Sequence, residues 1–330
     1  MDYIKTDDVT GGVPVVSVVI VNFNAGPLLA RAIKSVLEST VPMEVFVVDN
    51  ASSDRSVAEV RKQFAGDERL HIIENEENLG FARANNIALR LARGSLILLL
   101  NPDCVVVPTV LENMRAAMER YPDAGMAGCL IRNVDGSEQA GCRRSVPTPW
   151  RSLVRVLHLE KLMPQGESSR SFVLKEEPLP PEPCFVEAIS GAFMLVVREA
   201  FEKVGFLDEG YFVHCEDLDW CMRFRAQGWK ILFVSHVEIL HHKGVCSHKR
   251  PLFVLWHKHK GMVRFYRKFF RSRYPEPLLW LVIVAVWARY GALVGVTLTQ
   301  RLWRSLLPEG GRHTLARSPP YDDRTGQHIG

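Results

Sequence analysis

The sequence predicts an α/β protein with a Rossmann-like, mostly parallel sheet covered by helices on both faces, followed by a C-terminal membrane-associated helical segment. Three observations carry that expectation. Short apolar runs alternate with stretches of helical periodicity as far as residue 132. Those runs are apolar at nearly every position instead of every second one, as strands buried on both faces require. A long apolar stretch follows a basic, aromatic one near the C-terminus.

Residues 15–21, VVSVVIV, read as a central strand that ends at Asn22, Phe23 and Asn24. From Leu28 to Leu37 apolar residues recur three and four apart, which predicts an amphipathic helix. VEVFVVD is the second strand, with Ser53 or Asp54 placed to cap the helix after it. RLHIIEN and a helical segment from Phe81 to Leu91 follow, then the very apolar fourth strand SLILLLNPD. Pro108 suits the start of the next helix, and DAGMAGCLI is the fifth strand. Residues 133–183 interrupt this rhythm with VPTPW, a helix-like patch from Leu153 to Leu162, and PLPPEP, as an insertion crossing the cleft would. A strand and short helix return in FVEAISGAFMLVVREAFEKVGFLDE. EDLDWCMRFRAQGW then forms a helix closed by Gly228, and KILFVS a further strand.

Composition suits a globular chain, with 47% hydrophobic and 24% charged residues among 330. Seven cysteines, without a CxxC pair, argue against a fully paired disulfide framework and fit a cytoplasmic redox environment. MDYIKTDDVTGG has no basic segment leading into an apolar one, so no secretory leader is expected. Leu278 to Gln300 is long enough to span a bilayer, although Arg289 makes plain spanning costly. The preceding RFYRKFFRSRYPEP equally suits a helix lying at an anionic membrane surface. Expected boundaries are an extension over 1–14, a catalytic domain over 15–255, membrane-associated helices over 256–300 and a flexible tail over 301–330.

In such sheets ligands collect beyond the carboxyl ends of the strands, where Asn22, Asp49, Asn78 and Asp103 emerge. Asp49 and Asp103 each end an apolar run and can face one cleft; a turn or capping role is the competing account. Glu216, Asp217 and Asp219 open a predicted helix, whose N-terminus alone would favour acidic residues. A carboxylate there can also take a proton from a hydroxyl within hydrogen-bond reach. Asp103 offers an oxygen ligand for Mg²⁺ or Mn²⁺, and His241 or His242 an imidazole, unless these histidines belong to a basic surface patch.

With those residues in place, the sequence resembles the inverting family 2 glycosyltransferases of the GT-A fold, and within them the rhamnosyltransferase-like branch. VSVVIVNFN, VFVVDNASSDRS, ENLGFARANNIAL, LILLLNPDC and the long SGAFMLVV…EDLDWCMRFRAQGW segment occur in the family's order, with HHKGVCS and HKHKGMVRFYRKFF after them. The resemblance covers about residues 15–270. It implies that Asn22 and Asn24 shape the nucleotide loop, that Asp49 binds the pyrimidine base, and that Asn78, Gly80 and Asn85 line the nucleotide cleft. Asp103 and His241 would hold the divalent cation beside the diphosphate. Asp217 is the implied catalytic base, with Glu216 its competitor. On the acceptor side, Gly191 and Ala192 form a wall, while Asp219, Trp220 and Arg223 orient the catalytic helix. The end of the fourth strand reads Asn101, Pro102, Asp103 and not Asp-x-Asp, which leaves one definite metal carboxylate.

The implied reaction moves L-rhamnose from dTDP-rhamnose to a polyprenyl-diphosphate-linked saccharide, at the cytoplasmic face of the membrane. A UDP-hexose or galactofuranose donor is the alternative, as is an inactive glycan-binding scaffold at the membrane. A dinucleotide-binding enzyme fits poorly because the first strand runs into NFNAG and not GxGxxG. The basic stretch from His257 to Arg273 would also suit a nucleic acid, but the adjoining apolar run favours a membrane partner and no nucleic acid.

Overall fold

The computed structural model describes residues 14–156, 177–242 and 250–306. The expected N-terminal extension up to residue 13, the later part of the Leu153–Leu162 patch, HHKGVCS past His242 and the tail beyond residue 306 lie outside them.

The first four strands are the all-apolar runs. β1 (Val16–Asn22), β2 (Met43–Asp49), β3 (Leu70–Glu74) and β4 (Leu96–Leu100) lie parallel in the order β3-β2-β1-β4. Every residue of β1, β2 and β4 is buried, because helices cover both faces. The crossovers are α1 (Pro27–Leu37), α2 (Ser56–Gln63) and α3 (Phe81–Leu89). α1 starts on Pro27, whose missing N–H costs nothing in a first turn.

Beyond β4 come β5 (Cys104–Val106), α4 (Val110–Arg120), β6 (Ala124–Arg132), β7 (Arg143–Arg144) and α5 (Pro149–Val156). β8 (Cys184–Val186), β9 (Ala188–Ile189), β10 (Phe193–Val197), α6 (Arg198–Val204), α7 (Glu216–Ala226) and β11 (Lys230–His241) complete the sheet and its cover. The sheet continues β4-β10-β6-β11-β5, with β8 also on β11 and β7 and β9 in a separate pair. It is mixed, since β10 runs antiparallel between β4 and β6. Strand–helix alternation fixes direction only where a helix carries the chain back, and β10 arrives instead from the 133–183 excursion. The expected cap at Ser53 or Asp54 falls at Arg55, with Asp54 accepting from the Ser56 amide at 3.1 Å.

α8 (Pro251–Phe270) and α9 (Glu276–Leu306) follow. The chain divides into a compact unit through Ile283 and a second unit from Val284 onward. Within the first, α8 packs on the segment leading into α7: a Cβ on Gly261 would sit 3.0 Å from the His214 carbonyl oxygen. Lys268 reaches Asp208 at 2.7 Å and Asp219 at 2.6 Å, and Arg264 reaches Asp208 at 2.8 Å. Glu276–Thr299 is 24 residues long and apolar enough to cross a membrane. At 1.5 Å per residue it reaches about 36 Å against a hydrocarbon core of ~30 Å. Only 11% of its most apolar stretch is buried, so it presents apolar surface as a peripheral or anchoring membrane helix does.

Gly94 marks the tightest join of this sheet. A Cβ there would lie 2.5 Å from the Ser17 amide nitrogen and 2.8 Å from the Val16 carbonyl carbon. Backbone cannot yield as a side-chain tip can, so Gly94→Ala should lower stability by about 2 kcal/mol or more, read as a shifted midpoint in chemical denaturation.

Candidate active site

The ends of β1 and β2 build a loop from side chains that hydrogen-bond one another. Asn22 donates to Asp49 at 2.6 Å and to Ser56 at 2.9 Å, and accepts from the Ala25 amide at 3.3 Å. Asp49 takes the Ser52 hydroxyl on one oxygen and the Ser52 amide on the other, at 2.6 and 2.9 Å. Asn24, at φ 56°, accepts from the amides of Ser53 and Asp54 at 2.8 and 3.1 Å. Asn tolerates this left-handed backbone because its side chain bonds locally. Both oxygens of the buried Asp49 are thus engaged in bracing the loop that carries Asn24 and Ser53.

Across the cleft, Asn78 accepts from the Gly80 amide at 2.9 Å, and Asn85 donates to the Phe81 carbonyl at 2.8 Å. Gly80 sits at φ 84°, and a Cβ there would lie 2.5 Å from the Phe212 carbonyl oxygen, which accepts from the Phe81 amide at 2.7 Å. The start of α3 is thereby fastened to the loop before α7.

The second cluster forms where β5 pairs with the end of β11. The register sets His241 opposite Cys104 and so brings the imidazole to Asp103, with Nε2 3.0 Å from Oδ1. On the other side of the ring, Nδ1 lies 2.8 Å from Gln139 Oε1. The Gln139 amide is oriented by its own donation to Asn133 Oδ1 at 2.9 Å, so Nδ1 carries the hydrogen. Nε2 then faces a carboxylate oxygen inside the protein, with the Asn101 side-chain nitrogen 3.4 Å away, and a cation between imidazole and carboxylate suits both. Asp103 and His241 therefore fit a divalent cation that takes oxygen and imidazole, Mg²⁺ or Mn²⁺. Cys104 is near, but burial pushes its thiol far up and its Sγ turns to the Ala192 carbonyl at 3.6 Å. It is no ligand for such an ion.

The third cluster opens α7. His214 and Cys215, at φ 68° and 74°, turn the chain so that Glu216 and Asp217 start the helix inward. Burial pushes the Asp217 carboxyl up, yet the Arg144 guanidinium and the amides of Leu218 and Gly191 outweigh it and hold it below the ordinary carboxylate range. Arg144 ion-pairs with Asp217 and also donates to the Ile189 carbonyl at 2.9 Å. Glu216 has no such cation. Burial, then the charge of Asp217, pushes it up to about 8, and its Oε2 is buried without a hydrogen-bond partner. The pair thus holds one proton at neutral pH, on Glu216, and Asp217 is the ionised member.

One dipeptide joins the second and third clusters. The Gly191 amide donates to Asp217 at 3.2 Å, and the Ala192 carbonyl accepts from the Asn101 amide at 3.0 Å. A Cβ on Gly191 would stand 3.3 Å from that of Asp217, so the glycine permits the approach. Asp219, Trp220 and Arg223 anchor α7 from its other side. Trp220 donates to the Gly205 carbonyl at 2.9 Å, and Arg223 to Val204, Phe206 and Asp219 at 2.9, 2.7 and 2.8 Å. Sequence reasoning missed Arg144 and Gln139, both in the 133–183 stretch, where no periodicity or spacing marks them.

A profile of the family described as "Glycosyl transferase family 2" matches residues 17–205. The chain is 28% identical over 311 residues to the "N-acetylglucosaminyl-diphospho-decaprenol L-rhamnosyltransferase" of Mycobacterium tuberculosis H37Rv, covering 91% of this chain and 99% of that one. It is 29% identical over 171 residues to "Rhamnosyltransferase WbbL" of Escherichia coli K12, covering 49% of this chain and 61% of the other. Among solved structures it is similar to the mannosyltransferase PcManGT of Pyrobaculum calidifontis in complex with GDP-Man and Mn²⁺. That match has a TM-score of 0.55 and 19% identity, and covers 88% and 81% of the two chains.

Two outcomes follow from the geometry. Glu216 binds its proton more tightly folded than unfolded, so between its ordinary range and pH 8 the folded state holds more protons and stability falls as pH rises. Glu216→Gln should flatten that decline and be more stable than wild type at pH 8, by on the order of 2 kcal/mol, in denaturation series at pH 5 and 8. Gln139→Leu removes the orienting acceptor of His241 and should weaken Mn²⁺ binding by about 10–100-fold in calorimetric titration.

Proposed function

The chain belongs to glycosyl transferase family 2, and from that premise we propose that it transfers L-rhamnose from dTDP-rhamnose, with inversion, to a saccharide carried on a polyprenyl diphosphate at a membrane surface. The observation that carries this reading is the Gly191–Ala192 bridge. Through it the Asp217 carboxylate and the strand end that carries Asp103 are tied to one two-residue segment. The choice of sugar and acceptor is supported by the mycobacterial relative, an L-rhamnosyltransferase of N-acetylglucosaminyl-diphospho-decaprenol, which matches this chain nearly end to end. UDP-hexose or galactofuranose donors are the competing choices.

In this reading Asp217 accepts the proton of the acceptor hydroxyl. That oxygen bonds to the anomeric carbon as the bond from the same carbon to the nucleoside diphosphate oxygen breaks on the opposite face. Arg144 and the Gly191 amide keep Asp217 ionised and aimed. Glu216, holding its proton, leaves that task to its neighbour. Asp103 and His241 would hold a divalent cation, which when bound would supply charge neutralisation for the departing diphosphate. Asn22, Asn24, Asp49, Asn78, Gly80 and Asn85 frame the nucleotide cleft, and Gly191 and Ala192 wall the acceptor side.

The test is product mass. Full-length protein in detergent, with Mg²⁺ or Mn²⁺, a polyprenyl-diphosphate sugar and a panel of nucleotide sugars, should add one deoxyhexose from dTDP-rhamnose alone. A hexose gained instead would replace the donor, and no gain with any donor would overturn the reading. Asp217→Asn should lower turnover by roughly 100-fold or more, while nucleotide binding stays within about twofold of wild type.

A further inference from the structure

Beyond the catalytic helix lies a cavity of about 280 Å³, room for roughly nine waters, lined among others by Arg151, Arg225 and Arg273. Its one carboxylate is Glu187, which Arg151 already holds at 2.7 Å. Among the described residues no carboxylate lies within ion-pair distance of Arg225 or Arg273. Three guanidinium groups gathered around one carboxylate leave this wall net positive, and the guanidinium fork suits phosphate oxygens.

The walls of this cavity lead directly from the proposed reaction centre. Arg144, which holds Asp217, is followed after one residue by the lining residue Val146. Asp217 lies on the same helix as Met222 and Arg225, about 7 and 12 Å along its axis. Glu187 opens the short segment that reaches the base at Gly191 and the cation strand at Ala192. Along that one segment the order is cavity, base, cation. One short segment thus borders the cavity, the Asp217 carboxylate and the strand beside Asp103.

The remaining wall is aromatic. Trp150, Phe270 and Tyr274 line the cavity, and Tyr274 stands two residues before α9, the apolar helix able to enter a membrane.

We infer that this cavity binds the diphosphate of the lipid-linked acceptor, with Arg225 and Arg273 on its phosphate oxygens and the aromatic wall on the first isoprene units. The inference rests on the lipid-linked acceptor of the proposed function and adds where its head group sits. The saccharide then extends from the cavity toward Asp217, so the length of the sugar between diphosphate and reacting hydroxyl sets which hydroxyl reaches the base.

The experiment uses the full chain in detergent and measures binding of geranylgeranyl diphosphate, geranylgeraniol, inorganic pyrophosphate and dTDP by calorimetry. Wild type should bind the lipid diphosphate more tightly than pyrophosphate and should not bind the alcohol. The double variant Arg225→Ala, Arg273→Ala should weaken lipid diphosphate binding by roughly tenfold or more, with dTDP binding unchanged. Both arginines are exposed, so dTDP binding also reports an intact fold. Lipid diphosphate bound equally well by the variant would overturn the placement and leave the acceptor reading standing. Wild type binding dTDP but no lipid diphosphate would overturn the acceptor reading and the placement with it. Pyrophosphate bound as tightly as the lipid, with the same arginine dependence, would make this a site for a soluble diphosphate and overturn the lipid assignment.

Discussion

Keeping one carboxylate ionised inside the protein is the constraint on which the rest of the site depends. A buried charge survives only when paired and hydrogen-bonded. Asp217 has Arg144 and the amides of Gly191 and Leu218. Each of these in turn needs a placement of its own. Arg144 sits on β7, which exists only because it pairs with β9. Gly191 follows β9 after one residue, Ser190, and Leu218 requires α7 to start where it does. That start is forced by two consecutive non-glycine residues in the left-handed region, a conformation costing roughly 1 kcal/mol or more each. The surrounding contacts hold it there, with Phe212 fixed to Gly80 and Phe81 and with α8 against His214.

Neighbouring Glu216 shows the same constraint from the opposite side. It is buried more deeply than Asp217 and has no ion-pair partner among the described residues, so burial and the charge of Asp217 keep its proton in place. Two adjacent acids of similar intrinsic strength thus divide into donor-capable and acceptor-capable partners through the position of a single arginine. The Asp103–His241 pair is arranged by the same logic, with Gln139 deciding which ring nitrogen faces the carboxylate.

Much of this was legible in the sequence. The runs ending in Asn22, Asp49 and Asp103 are so apolar that they can only be strands covered on both faces, which puts those three residues at one edge. The acidic start of α7 was equally visible, since a strand-like and a helical pattern bracket it. What escaped were partners supplied from a distance. Arg144 is 73 residues from Asp217 and Gln139 is 102 from His241, and both come from irregular chain without period or motif. The three-residue β5 was missed because a run so short has no periodicity of its own, although its pairing with β11 is what unites Asp103 with His241. The direction of β10 was hidden for a related reason, since the chain reaches it through the irregular 133–183 stretch.

The packing of α8 sets where the polypeptide can be divided. A fragment ending at residue 250 would take Lys268 away from Asp219 and both cations away from Asp208. Asp219, with no exposed surface of its own, would keep Arg223 on one oxygen at 2.8 Å but lose the cation on the other. The first turns of α9 are committed as well, since Leu279, Val282 and Ile283 are buried. The basic helix that looks like a detachable membrane handle thus belongs to the compact unit that runs through Ile283.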